Sequence, residues 1–115
     1  MTLNSGDVVP VELGPPTGRE AGYAHSAILV TAQAILDASP TVVQIVPLTS
    51  TLRRFATEVE IEPESQNGLT ARSAAQCQHV RAVAPARLGE PVGNVGAVAL
   101  SQIREMLAII LDIPS

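Results

Sequence analysis

The tightest constraint on this chain is a series of short, β-branched apolar runs, each too brief for a stable helix and most of them closed by proline, glycine or hydroxyl residues. In Val8–Leu13, Val9, Val11 and Leu13 alternate with Val8, Pro10 and Glu12, which predicts a strand whose proline sits at an edge or bulge. Ala27-Ile28-Leu29-Val30 is continuously apolar, the pattern of a strand covered on both faces. Val42 to Leu48 is β-branched and again strand-like, and delivers the hydroxyl cluster Thr49-Ser50-Thr51 to the strand's end. Thr57 to Pro63 sets Val59 and Ile61 against Glu58, Glu60 and Glu62, predicting a half-buried antiparallel strand whose glutamates, with Glu64, face water.

Other segments punctuate or close these runs. Gly14 to Gly22 carries the glycines and prolines of a loop. Ala32 to Ala38 has room for one or two helical turns before Ser39-Pro40 stops them. Asn67-Gly68 is a turn signal, and the small apolar run Ser73–Val83 reads as a further strand. Gly93-Asn94-Val95-Gly96 lacks the lysine and glycine spacing of a phosphate loop and reads as a turn. Val98, Leu100, Ile103, Met106, Leu107, Ile110 and Leu111 then fall at helical spacing. A mainly antiparallel sheet curled into a small barrel, with a C-terminal helix, accommodates that order.

At 115 residues the chain is expected to be one domain, residues 1–115, small enough for a second copy of itself to be a source of stability. Lysine is absent, and the fixed positive charges are Arg19, Arg53, Arg54, Arg72, Arg81, Arg87 and Arg104. A formal net charge of -4 argues against a broad nucleic-acid footprint, so any RNA contact has to be local. With an aromatic content of 2%, from Tyr23 and Phe55, extended base-stacking platforms are not expected. The lone Cys77 excludes an internal disulfide and points to a reducing, cytoplasmic setting. No apolar run approaches the length that spans a bilayer, so no membrane is expected. Neither His25 nor His79 has a second ligand at zinc spacing, and no carboxylate cluster suits magnesium, so no metal or other cofactor is expected.

Five blocks, in order, resemble the MazF/PemK toxins. Ser5-Gly6-Asp7-Val8-Val9 is similar to the family's opening Arg-Gly-Glu/Asp strand, with Ser5 in the arginine's place. Gly18-Arg19-Glu20-Ala21-Gly22-Tyr23-Ala24-His25-Ser26 keeps the spacing of the Gly-x-Glu-x-Gly-x-x-Arg-Pro loop, with His25-Ser26 standing where Arg-Pro is expected. Val46-Pro47-Leu48-Thr49-Ser50 resembles the strand ending in Pro-x-Thr-Ser. Asn67-Gly68-Leu69 with Ser73–Val83, then Arg87-Leu88 and Gly93, resemble the later turn, strand and pre-helix positions.

The resemblance implies an SH3-like antiparallel barrel of the CcdB/MazF type with a C-terminal helix. It also implies a homodimer, a cognate MazE-like antitoxin, and metal-independent endoribonuclease activity on single-stranded RNA by attack of the 2′-hydroxyl. Such cleavage needs a base, a group to hold the phosphorane oxygens, and an acid for the leaving 5′-oxygen. The candidates are His25 as base, acid or pH-dependent cation; Thr49 as a hydroxyl donor to phosphate; and Glu20 as base or as orienter of His25. Arg19, Ser50, Thr51, Arg53 and Arg54 are candidate RNA contacts, with Gln78 or His79 facing out to read a base edge. Two alternatives keep the fold: a homologue that binds antitoxin or RNA without cutting, and a gyrase-poisoning toxin of the same barrel superfamily.

Overall fold

The computed structural model describes residues 2–15, 17–19 and 24–114. The described elements are strands β1 (Asp7–Glu12), β2 (Ala24–Leu29), β3 (Val43–Thr49), β4 (Glu58–Ile61), β5 (Ser73–Gln76), β6 (Arg81–Val83) and β7 (Gly93–Asn94), with helices α1 (Gln33–Asp37) and α2 (Gly96–Ile110). All pairings are antiparallel, in the order β4-β5-β3-β2-β1-β7, with β6 also on β3. The result is a mostly antiparallel half-barrel with a C-terminal helix.

β3 is the hub. Its first half, Val43–Ile45, pairs with β6, its end, Leu48–Thr49, pairs with β5, and its other edge holds β2 through Ala27↔Pro47, Ile28↔Val46 and Leu29↔Ile45. The proline inside β3 therefore sits where the ladder changes partner, and Pro10 of β1 is exposed.

Consecutive residues divide between two apolar clusters. Val8, Ile28 and Val46 pack toward Leu100 and Ile103 of α2, whereas Val9, Leu29 and Ile45 pack with Leu36, Val83 and Leu88 on the other side. The continuous run Ala27–Val30 is buried on both faces, as its composition predicts. Val8, expected to lie opposite the core, is fully buried as well, because α2 covers that face. On α2, Leu100 and Ile103 are buried and Met106, Leu107 and Ile110 pack against them, while Val98 and Leu111 are exposed.

Two expectations need correction. Ser73–Val83 is not one strand: a 3-10 turn at Cys77–His79 separates β5 from β6. Gly93-Asn94 is not a turn but a short strand on β1, pairing Val8↔Gly93 and Asp7↔Asn94, and the Asn94 side chain accepts from Gly96 N at 2.8 Å at the start of α2. Close backbone approach, rather than turn geometry, accounts for the glycine.

Ser5 lies beside a guanidinium brought from the far end of the chain. Arg104 Nη2 donates to Ser5 Oγ at 3.3 Å and to the Val30 and Thr31 carbonyls at 3.2 and 3.5 Å, tying α2 to the end of β2. Arg104→Ala is therefore expected to cost about 1 kcal/mol in urea unfolding, the range of a partly solvated charged hydrogen bond. An unchanged midpoint would show that these bonds merely replace bonds to water.

Candidate functional site

Pairing of β2 with β3 brings His25 to the end of β3. Its Nδ1 lies 3.2 Å from the Leu48 carbonyl, and because a carbonyl only accepts, Nδ1 carries the proton of this bond and Nε2 is left for other partners. His25, Thr49 and Ser50 share one depression of about 360 Å³ with Leu69, Ala71 and Ser73. Thr49 Oγ1 accepts from Thr51 N at 3.1 Å, so its hydroxyl hydrogen remains free to donate. Thr51 thus supports Thr49 through its backbone. Among the described lining residues there is no arginine, which leaves His25 as the one side chain there able to carry positive charge. Glu20 lies outside the described residues.

A second depression, of about 540 Å³, gathers Arg19, Arg53, Gln78 and His79, with Phe55 and Thr57. Four predicted RNA contacts, scattered from residue 19 to residue 79, therefore meet at one place. Arg54 is not among them. Its backbone is left-handed at φ 58, and its side chain pairs with Glu60 at 3.0 Å, an exposed contact of the kind that contributes little to stability. Arg72 continues that ladder to Glu60 and Glu62. His79 and Gln78 lie on the 3-10 turn rather than on a strand, so the expected in-out alternation does not apply.

Glu58, expected to face water, is the residue the sequence reading missed. Its side chain is 1% exposed and receives Arg53 Nη2 at 2.7 Å and Gln78 Nε2 at 2.7 Å. Burial pushes its carboxyl up, but the hydrogen bonds from Gln78 and Arg53, together with the Arg53 charge, outweigh that and hold it below the ordinary glutamate value. The unfolded chain then keeps a proton at pH values where the folded carboxyl has lost it, so this group stabilises the fold at neutral pH and ceases to do so as pH falls through its folded-state titration. In urea unfolding, the stability gap between wild type and Glu58→Gln is expected to narrow from pH 7 toward pH 3; a constant gap would contradict an ionised Glu58. Neighbouring Cys77 is fully buried, and burial above all, with a further push from Glu58, lifts its thiol to about 11.

Among the described residues no helix is long and apolar enough to cross a membrane. Residues 4–111 match the family described as the PemK-like, MazF-like toxin of type II toxin-antitoxin systems. The chain is 29% identical to endoribonuclease MazF9 of Mycobacterium tuberculosis across 96% of its own length and 98% of that relative's. In fold it is similar to MazF of Deinococcus radiodurans, with a TM-score of 0.82 at 22% identity over 98% of this chain and 99% of that one. It is also similar to a mycobacterial endoribonuclease solved in complex with its cognate antitoxin, with a TM-score of 0.74 at 24% identity over 96% and 95%. A family match along nearly the whole chain, on a half-barrel and helix shared with solved MazF structures, means that this chain belongs to the PemK-like, MazF-like toxins of type II toxin-antitoxin systems.

Proposed function

We propose that the chain is an endoribonuclease toxin that cuts single-stranded RNA by attack of a ribose 2′-hydroxyl on the adjacent phosphorus, with His25 and Thr49 at the reacting phosphate. The observation that carries this reading is the depression lined by both His25 and Thr49, in which the Leu48 carbonyl fixes the His25 ring through Nδ1 and leaves Nε2 for a substrate. The neutral ring accepts the 2′-hydroxyl proton; the 2′-oxygen–phosphorus bond forms and the bond to the 5′-oxygen breaks. The leaving oxygen takes a proton, and an imidazolium is the group here that can supply it while balancing the phosphorane charge. Thr49 donates to a non-bridging oxygen. An antitoxin that covers this depression would restrain the toxin, and a mycobacterial relative is solved in complex with its cognate antitoxin; the exposed apolar side chains Val98, Ile109 and Leu111 offer surface for a second copy or partner.

One observation favours the second reading, binding without cutting: no guanidinium lines the His25 depression among the described residues. Incubating the purified chain with a long single-stranded RNA in excess chelator separates the two. Cutting that His25→Ala abolishes supports the ribonuclease; intact RNA that nonetheless forms a complex with the chain supports binding alone.

A further inference from the structure

The Arg53 cavity stands apart from the His25 depression, yet one segment joins them: Ser50 lines the first, while Arg53, Phe55 and Thr57 line the second. A single strand laid along residues 50–57 passes from one to the other. Resting on the ribonuclease reading for its substrate class, we propose that the Arg53 cavity is a nucleobase subsite that selects a keto base, guanine or uracil, at a nucleotide close to the one whose phosphate meets His25.

The selectivity follows from which groups are already committed. A buried carboxylate only accepts, so Glu58 forces the Gln78 amide to present Nε2 to it, which turns Gln78 Oε1 toward Thr57, whose hydroxyl donates at 3.0 Å. Glu58 also holds Arg53 by a single nitrogen, Nη2, and the guanidinium lies 4.7 Å from the centre of the Phe55 ring. Arg53 is thereby fixed at two points while its side chain stays 39% exposed, and its Nη1 and Nε donors remain for a ligand. The other Glu58 oxygen, Oε1, is buried and has no partner among the described residues; being buried, the carboxylate acts by positioning Arg53 and Gln78 and not by meeting the base.

The fixed groups facing the cavity are thus rich in donors, with Arg19 adding another guanidinium and the His79 ring adding an N–H. An exocyclic amine of adenine or cytosine would set donor against donor. The O6/N7 edge of guanine or the O4 of uracil accepts instead, which suits the guanidinium donors that Glu58 leaves. Phe55, half exposed, and the planar guanidinium on it supply the stacking surface that an unpaired base needs.

The test is a binding measurement on the full chain with eight-nucleotide 2′-fluoro oligoadenosine strands, which have no 2′-hydroxyl to attack. A single inosine, which replaces an amine by a keto oxygen, is moved through every position, and affinity is read by fluorescence anisotropy in chelator. One position is expected to tighten binding about fivefold or more. Because Arg53→Ala would strand the buried Glu58 carboxylate, the control is Arg53→Met with Glu58→Gln, which keeps the volume and removes both charges. That pair should abolish the preference, whereas Arg54→Ala should retain it. No preferred position, or a preference that survives the double substitution, overturns the subsite. A preference obeying these rules, with no cutting of the hydroxyl-bearing strand, overturns the ribonuclease reading and leaves the subsite standing.

Discussion

Alanine at His25 is expected to lower RNA cleavage by about two to four orders of magnitude, the range for loss of a positioned acid–base group, and Thr49→Ala by about a hundredfold to a thousandfold, as for one lost donor to a developing oxyanion. The larger figure goes to His25 because two roles converge on it. Its Nδ1 is spent on the Leu48 carbonyl, so proton transfer runs through Nε2. No arginine shares the depression among the described residues, so the charge that a guanidinium would supply has to come from the same ring when protonated. A rate that survives His25→Ala in chelator would remove His25 from the chemistry.

How much of this was legible depends on whether the determining contact is local. β1, β2, β3 and β4 follow from period-two patterns and apolar runs, and the C-terminal helix from its spacing, because each is written in consecutive residues. The errors sit where a distant element decides. Val8 is buried by α2, some ninety positions away, and Glu58 by groups from Arg53 and from the turn carrying Gln78; no period in β4 distinguishes Glu58 from the exposed Glu60. The site divides in the same way. That His25 reaches Thr49 could be reasoned from two adjacent strand ends, whereas the meeting of Arg19, Arg53, Gln78 and His79 requires the loop path and the 3-10 break after β5. Phe55, one of the chain's two aromatic residues, carried no patterned signal and gains meaning only from the guanidinium above it.

The largest loss of stability is expected from Gly93→Ala, about 3 kcal/mol in urea unfolding and a fall in Tm of about 10 °C or more. The glycine runs between β1 and the turn that follows β4: Val92 N donates to Val8 O at 2.8 Å and Asn94 N to Gln66 O at 2.8 Å. A Cβ at residue 93 would lie 2.4 Å from the Asn67 carbonyl carbon and 2.6 Å from both the Asn67 and Gln66 oxygens. All three atoms are backbone, so no side-chain rotation relieves the clash. The turn cannot readily retreat either, because buried Asn67 holds it closed: its Oδ1 accepts from Glu64 N and Leu69 N, each at 3.0 Å, and its Nδ2 donates to Glu62 O at 2.9 Å. Gly14→Ala is the control, since Gly14 has a left-handed φ of 74 but no atom of the described residues within 4 Å of a new Cβ, and so should show only backbone strain of about 1 kcal/mol. Leu69 and Ala71, just beyond the turn, line the His25 depression, so any Gly93→Ala protein that folds by shifting the turn should also cut more slowly. A variant within 1 kcal/mol of wild type would mean that the two backbones part at little cost and that this junction does not hold the half-barrel closed.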